Sequence, residues 1–158
     1  MKQTLLHWSL FFVIALISQP VFSVSASLPN EMVCIAKDGK TATIILDVDD
    51  WKGVIRAAYN LSDDVRKVTG VASQVDLHSS NTFGLLPHER KNLPSSILIG
   101  TIGKSHIIDN LIKQNKLNVE EVKGQWESYL IDVVDGALVI AGSDKRGTIY
   151  GIYEISKH

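Results

Sequence analysis

Apolar positions along the chain follow two rhythms, and each predicts a different element. "SSILIGTI" (95–102) is an unbroken apolar run of strand length, as expected where both faces of a strand are covered. "KSHIIDNLIKQNKL" (104–117) puts Ile107, Ile108, Leu111 and Ile112 on one side of a helix. Earlier, "DDWKGVIRAAYNLSDDVRKVTG" (49–70) repeats Val54, Ala57, Ala58, Leu61, Val65 and Val68 at three- and four-residue steps, an amphipathic helix. Asp49 or Asp50 is its expected N-cap and Gly70 its stop.

The remaining elements are strands, turns and a last helix. "MVCIAK" and "TATIILDV", joined by "DGK", predict a β-hairpin with Asp38-Gly39 as its turn. A second hairpin, "ESYLIDVVDGALVIAGSD", turns at Asp135-Gly136. "SQVDLHSS" is a short strand, and "NTFGLLPHERKNLPS" (81–95) is a loop with two prolines. The closing "KRGTIYGIYEISKH" is a helix with Ile149, Ile152 and Tyr153 as its apolar face. The order ββαβ, βα, ββα predicts an α/β fold, helices laid on a mixed β-sheet.

Composition narrows the class. The 158 residues carry a formal charge of −1, with no basic run, so nucleic acid is excluded as a partner. Residues 1–26 have Lys2, an apolar stretch from Leu10 to Ile17 and small residues from Ser23, the pattern of a secretory signal peptide cleaved after Ala26. That places the mature domain, residues 27–158, in the periplasm, with no membrane contact after cleavage. Such a domain buries roughly two-thirds of its unfolded surface. The single cysteine, Cys34, excludes an internal disulfide framework and reads as a small strand residue.

Candidate chemistry is sparse. "GTIGKS" (100–105) mimics a phosphate loop, but Leu98 stands where the first glycine belongs, so a strand-to-helix turn capped by Ser105 is expected. Asp47, Asp49 and Asp50 could pair for acid–base work, or simply cap a helix. His78, His88 and His106 show no metal-ligand spacing, so no metal and no cofactor is expected. Asn60 opens a glycosylation sequon inside the long helix. In "SDKRG", Ser143 or Asp144 can cap the last helix, leaving Lys145 and Arg146 in its first turn. Cations there oppose the helix dipole, so they need a partner: an anionic ligand, an acidic patch, or Asp144 and Glu154. Gly147 and Gly151, one turn apart, each cost about 1 kcal/mol relative to alanine, which close packing on a sheet or a second domain would offset.

Four stretches together carry a resemblance: "VVDGALVIAGSDKRGTIYGIYEIS", "GTIGKSHIIDNLIKQNKL", "GQWESYLIDVV" and "WKGVIRAAYNLSDDVRKVTG". In order, they resemble the N-terminal domain of glycoside hydrolase family 115, the α-glucuronidases that remove glucuronic acid or its 4-O-methyl ether from xylan. The resemblance implies an α/β domain ahead of a (β/α)8 barrel, with the catalytic carboxylates of an inverting mechanism on that barrel. It assigns no catalytic residue here, and it implies that the chain, stopping before the barrel, is inactive alone. Asp144, Lys145 and Arg146 are then the candidate contacts to the uronate of glucuronoxylan or its oligosaccharides. The competing reading is a stand-alone module that binds acidic xylan or docks onto a separate barrel protein. Low aromatic content, with Trp51 heading a helix and Trp126 preceding a strand, speaks against a carbohydrate platform. An isolated domain whose glycine face lacks its neighbour should be marginally stable or self-associate.

Overall fold

The computed structural model describes residues 33–79 and 96–157. The expected signal segment and the loop 81–95 lie outside the described residues. The first hairpin is minimal: β1 (Ala36–Lys37) and β2 (Lys40–Thr41) pair antiparallel around Asp38 and Gly39, both with positive φ. Cys34 precedes β1 and is exposed rather than lying in a strand. "TATIILDV" does not continue the hairpin. Its second half is a separate strand, β3 (Ile44–Asp47), which enters the main sheet.

That sheet also contains β4 (Val75–His78), β5 (Ile97–Thr101), β6 (Tyr129–Val134) and β7 (Ala137–Gly142), in the order β4-β3-β5-β7-β6. The first four of these positions are parallel; β6 runs antiparallel at the edge, joined to β7 through Asp135 and Gly136, both at positive φ. The fold is therefore α/β with a mixed sheet. Strand alternation assigns the two cores. Ile44, Leu46, Ile97, Ile99, Leu138 and Ile140 face one layer, built from α1 (Lys52–Thr69) and α3 (Lys145–Ser156). Ile45, Leu98, Val139 and Ala141 face the other, built from α2 (His106–Lys113) and the segment carrying Leu117, Val119 and Val122. Every residue of β3 and β5 is buried, which is what a continuous apolar run requires.

Three details correct the sequence-based expectations. Val68 is 87% exposed, not part of the core. With 18 residues, α1 is about 27 Å long, whereas the 4-residue β3 spans about 13 Å, so the last turn overshoots the sheet. Tyr153 is exposed too, and its hydroxyl accepts from Asn60 Nδ2 at 3.0 Å. The inward face of α3 keeps the expected Ile152, fully buried, and Ile149, half-buried on the core beside Ile155, but is completed by Gly147, Thr148 and Gly151 in place of Tyr153.

The glycine face also has its partner already. A Cβ at Gly147 would collide with the Ser128 carbonyl oxygen, and one at Gly151 would meet Ile140 Cγ2 at 2.8 Å and Tyr129 at 3.2 Å. The closeness that offsets their poor helix propensity is thus to β6 and β7 of this same domain, not to a second one, and marginal stability no longer follows from that face. Among the described residues no helix is long and apolar enough to cross a membrane.

Candidate functional site at the carboxyl edge of the sheet

From β3 the chain passes through α1 to β4 on one side, whereas from β5 it passes through α2 toward β7 on the other. The carboxyl ends of β3 and β5 therefore form the crevice where open α/β sheets take ligands. Asp47, Asp49 and Asp50 follow β3 there, Thr101 to His106 follow β5, and Ser143 to Arg146 follow β7.

Two of the three aspartates are consumed by folding. Asp47 is 1% exposed: Oδ1 accepts from the Asp49 N–H at 2.9 Å, and Oδ2 from the His106 N–H at 2.8 Å. His106 Nδ1 lies 2.9 Å from the same Oδ2, so it carries a proton, because a carboxylate only accepts. Asp50, expected as a cap, instead turns inward at 5% exposure. Its Oδ2 accepts from the Thr101 N–H at 2.8 Å, and its Oδ1 takes the Trp51 N–H at 2.6 Å and meets Thr101 Oγ1 at 2.9 Å. Trp51 occupies the N-cap position with no side-chain cap hydrogen bond. The sequence conceals this role because the partner of Asp50 lies about fifty residues away, on β5.

The Asp50 network extends to α3. Thr101 Oγ1 lies 2.9 Å from Thr148 Oγ1, which lies 2.9 Å from the Asp144 carbonyl oxygen. Thr101 Oγ1 donates to Asp50 Oδ1, and the single Thr148 hydroxyl proton is shared between Thr101 Oγ1 and the Asp144 carbonyl oxygen. Burial raises the pKa of Asp50, with the nearby Asp47 charge adding to the rise, against the opposing hydrogen bonds from Thr101 and Trp51. No close substitute exists for Gly142 beside this network, since a Cβ there would run into the Thr148 backbone nitrogen.

Ser105 caps α2 as expected, with Oγ accepting from the Ile108 N–H at 3.5 Å. Asp47, Asp49 and His106 each offer one donor atom, all within 4.8 Å, a set that sequence spacing concealed because β3 and α2 bring it together. Three donors fall short of the six to eight oxygens of a calcium site, and Asp47 already spends both oxygens on N–H groups.

The three expected contact residues divide. Asp144 caps α3: Oδ1 accepts from the Gly147 N–H at 2.8 Å, and Oδ2 from the Glu127 N–H at 2.8 Å. Burial pushes its pKa up, but those N–H groups and the Arg146 guanidinium outweigh it and hold the carboxyl below its ordinary value. Arg146 Nη1 lies 2.5 Å from Glu127 Oε1, so the cation that opposed the dipole is paired neither with Asp144 nor with Glu154, but with Glu127. Lys145 turns the other way. Its Cε lies 2.8 Å from where a Cβ of Gly53 would be, on α1. At the same edge Lys104 Nζ stands 5.3 Å over the Trp51 ring, which is 46% exposed.

The carboxyl edge thus belongs to an α/β domain whose acidic groups are structural and whose cations face outward. No protein-family model matches the chain, and no curated protein sequence matches it. Among solved structures it is similar to BtGH115A, a family GH115 4-O-methyl-α-glucuronidase with specificity for decorated arabinogalactans. The TM-score is 0.55 at 29% identity, over 73% of this chain and 13% of that enzyme. The fold is GH115-like, and the chain spans a small part of that neighbour's length.

Proposed function

We infer that this domain is a non-catalytic portion of a GH115-type α-glucuronidase, acting with a catalytic barrel that removes glucuronic acid or its 4-O-methyl ether from glucuronoxylan-type glycans. The observation that carries this is the similarity of 73% of the chain to 13% of a 4-O-methyl-α-glucuronidase. The carboxyl edge supports it as well. An inverting glycosidase needs two carboxyl groups roughly 6.5–9.5 Å apart across a sugar ring, whereas Asp47 and Asp50 are buried and bonded to backbone N–H groups. Residues 1–26 act as the signal peptide in this reading and direct the protein to the periplasm. The Asp144–Arg146 turn then contributes to uronate recognition, with Arg146 as the carboxylate partner and Asp144 holding its helix.

The test compares uronic acid release from glucuronoxylan by the purified chain and by a protein that also carries the barrel. No release from the chain alone and release from the longer protein are expected. Turnover by the chain alone overturns the reading, as does a native locus with no barrel either in frame or in a protein that co-purifies. An exported protein whose first residue by mass spectrometry is not near Ser27 overturns the signal-peptide assignment.

A further inference from the structure

Trp126 is 81% exposed, more than any other aromatic ring among the described residues. It sits in a turn held from several sides. The next residue, Glu127, has φ of 52°, a left-handed conformation that a non-glycine residue keeps only when its surroundings impose it. Here Asp144 Oδ2 fixes the Glu127 N–H, and Arg146 fixes its carboxylate. Ser128 is clamped beside it: its N–H donates to Ser143 Oγ at 3.1 Å, and its carbonyl accepts from the Ser143 N–H at 2.9 Å. The "SDKRG" residues therefore build a rigid mount, and what the mount presents is an indole.

We propose that the Gln125–Ser128 turn is a glycan-contact element, with the Trp126 indole stacking on a sugar ring and Arg146 taking the carboxylate of a uronate. The ligand class rests on the glucuronidase reading above; the existence of the contact element rests on the geometry. A protein partner would need an apolar surround that excludes water from the anchoring ring. Trp126 instead has Lys123, Gln125, Glu127 and Ser128 as sequence neighbours, polar groups that suit a ring edged with hydroxyls. Only Nη1 of Arg146 is used by Glu127, and the side chain is 65% exposed, so a fork of N–H donors is left for a second carboxylate. A pre-ordered turn also spares the ligand the cost of fixing a loop.

Isothermal titration of the purified chain with 4-O-methylglucuronosyl-xylotriose, against neutral xylotriose, tests this. The acidic sugar should bind and the neutral one bind more weakly. Trp126→Ala should weaken binding about tenfold, the loss expected when a ring no longer buries a sugar face, while Trp51→Ala stays within about twofold. Arg146→Gln should narrow the gap between the acidic and neutral sugars. The circular dichroism of each variant, matching the parent, shows that the fold survives. A chain that binds neither sugar overturns the proposal, as does a Trp126→Ala variant that binds like the parent. Neither result touches the release assay, so the glucuronidase reading stands or falls separately.

Discussion

The β3–β5 crevice and the Trp126 turn lie at the same end of the molecule, yet they spend their polar groups in opposite ways. In the crevice, Asp47, Asp50, Thr101 and Thr148 are buried and face one another or backbone N–H groups, so that three chain segments are tied together. At the turn, Asp144, Ser143 and Arg146 secure a short backbone stretch whose side chain projects into solvent. The crevice teaches that a cluster of carboxylates at a strand end can be architecture, even where ligands commonly bind. The turn teaches that architecture can exist to present one residue.

Substitutions can separate the two. Gly142→Ala should have the largest effect, about 3 kcal/mol or more, because the new methyl meets backbone of α3 that cannot yield without moving the helix. Chemical denaturation that shows a loss under about 1 kcal/mol would mean α3 shifts freely. Next comes Asp50→Ala, expected to cost about 2–3 kcal/mol by leaving the Thr101 N–H and hydroxyl buried without an acceptor. Asp50→Asn should cost less, since the amide oxygen still accepts from one of the two Thr101 donors.

The pH dependence sharpens the same contrast. The folded pKa of Asp50 is raised, so its contribution is present in full below the unfolded carboxylate value and is lost as pH rises through the folded one. Asp144 behaves oppositely: its folded pKa is lowered, so its contribution is present above the unfolded value and is lost as pH falls through the folded one. Denaturation midpoints across the acid range should show the first slope vanish in Asp50→Asn and the second in Asp144→Ala. The latter should also cost about 1 kcal/mol for the lost cap. If both variants retain the parent profile, neither group titrates as described. Trp126→Ala should have the smallest effect, leaving the unfolding temperature unchanged; a clear drop would make the ring a core element after all.

Much of this fold was legible in the chain because its signals are local. The apolar run of β5, the Asp135-Gly136 turn and the Ser105 and Asp144 caps each depend on residues a few positions apart. The misreadings are non-local. Asp50 looks like a cap until β5 arrives to claim it, and Val68 fits the helical period although the sheet beneath it has ended. The candidate site follows the same division. Asp144 and Arg146 could be singled out from the polar "SDKRG" turn, but their partner Glu127 could not, because it lies across the β6–β7 hairpin. Trp126 reads in the sequence as the prelude to a strand. Nothing in its neighbours tells that the following residue adopts a left-handed backbone or that the ring stands in solvent.

The antiparallel β6–β7 pair, with α3 returning onto it, has a kinetic consequence. The contacts internal to this unit close within residues 127–156, whereas β3 must find β5 across a separation such as Ile44 to Ile97. Short loops close sooner than long ones, so the hairpin and α3 should organise first and offer β7 as the template on which the parallel strands assemble. Val139→Ala would then slow refolding, while Ile44→Val would chiefly speed unfolding; the reverse pattern in stopped-flow kinetics would place the nucleus in the amino-terminal half.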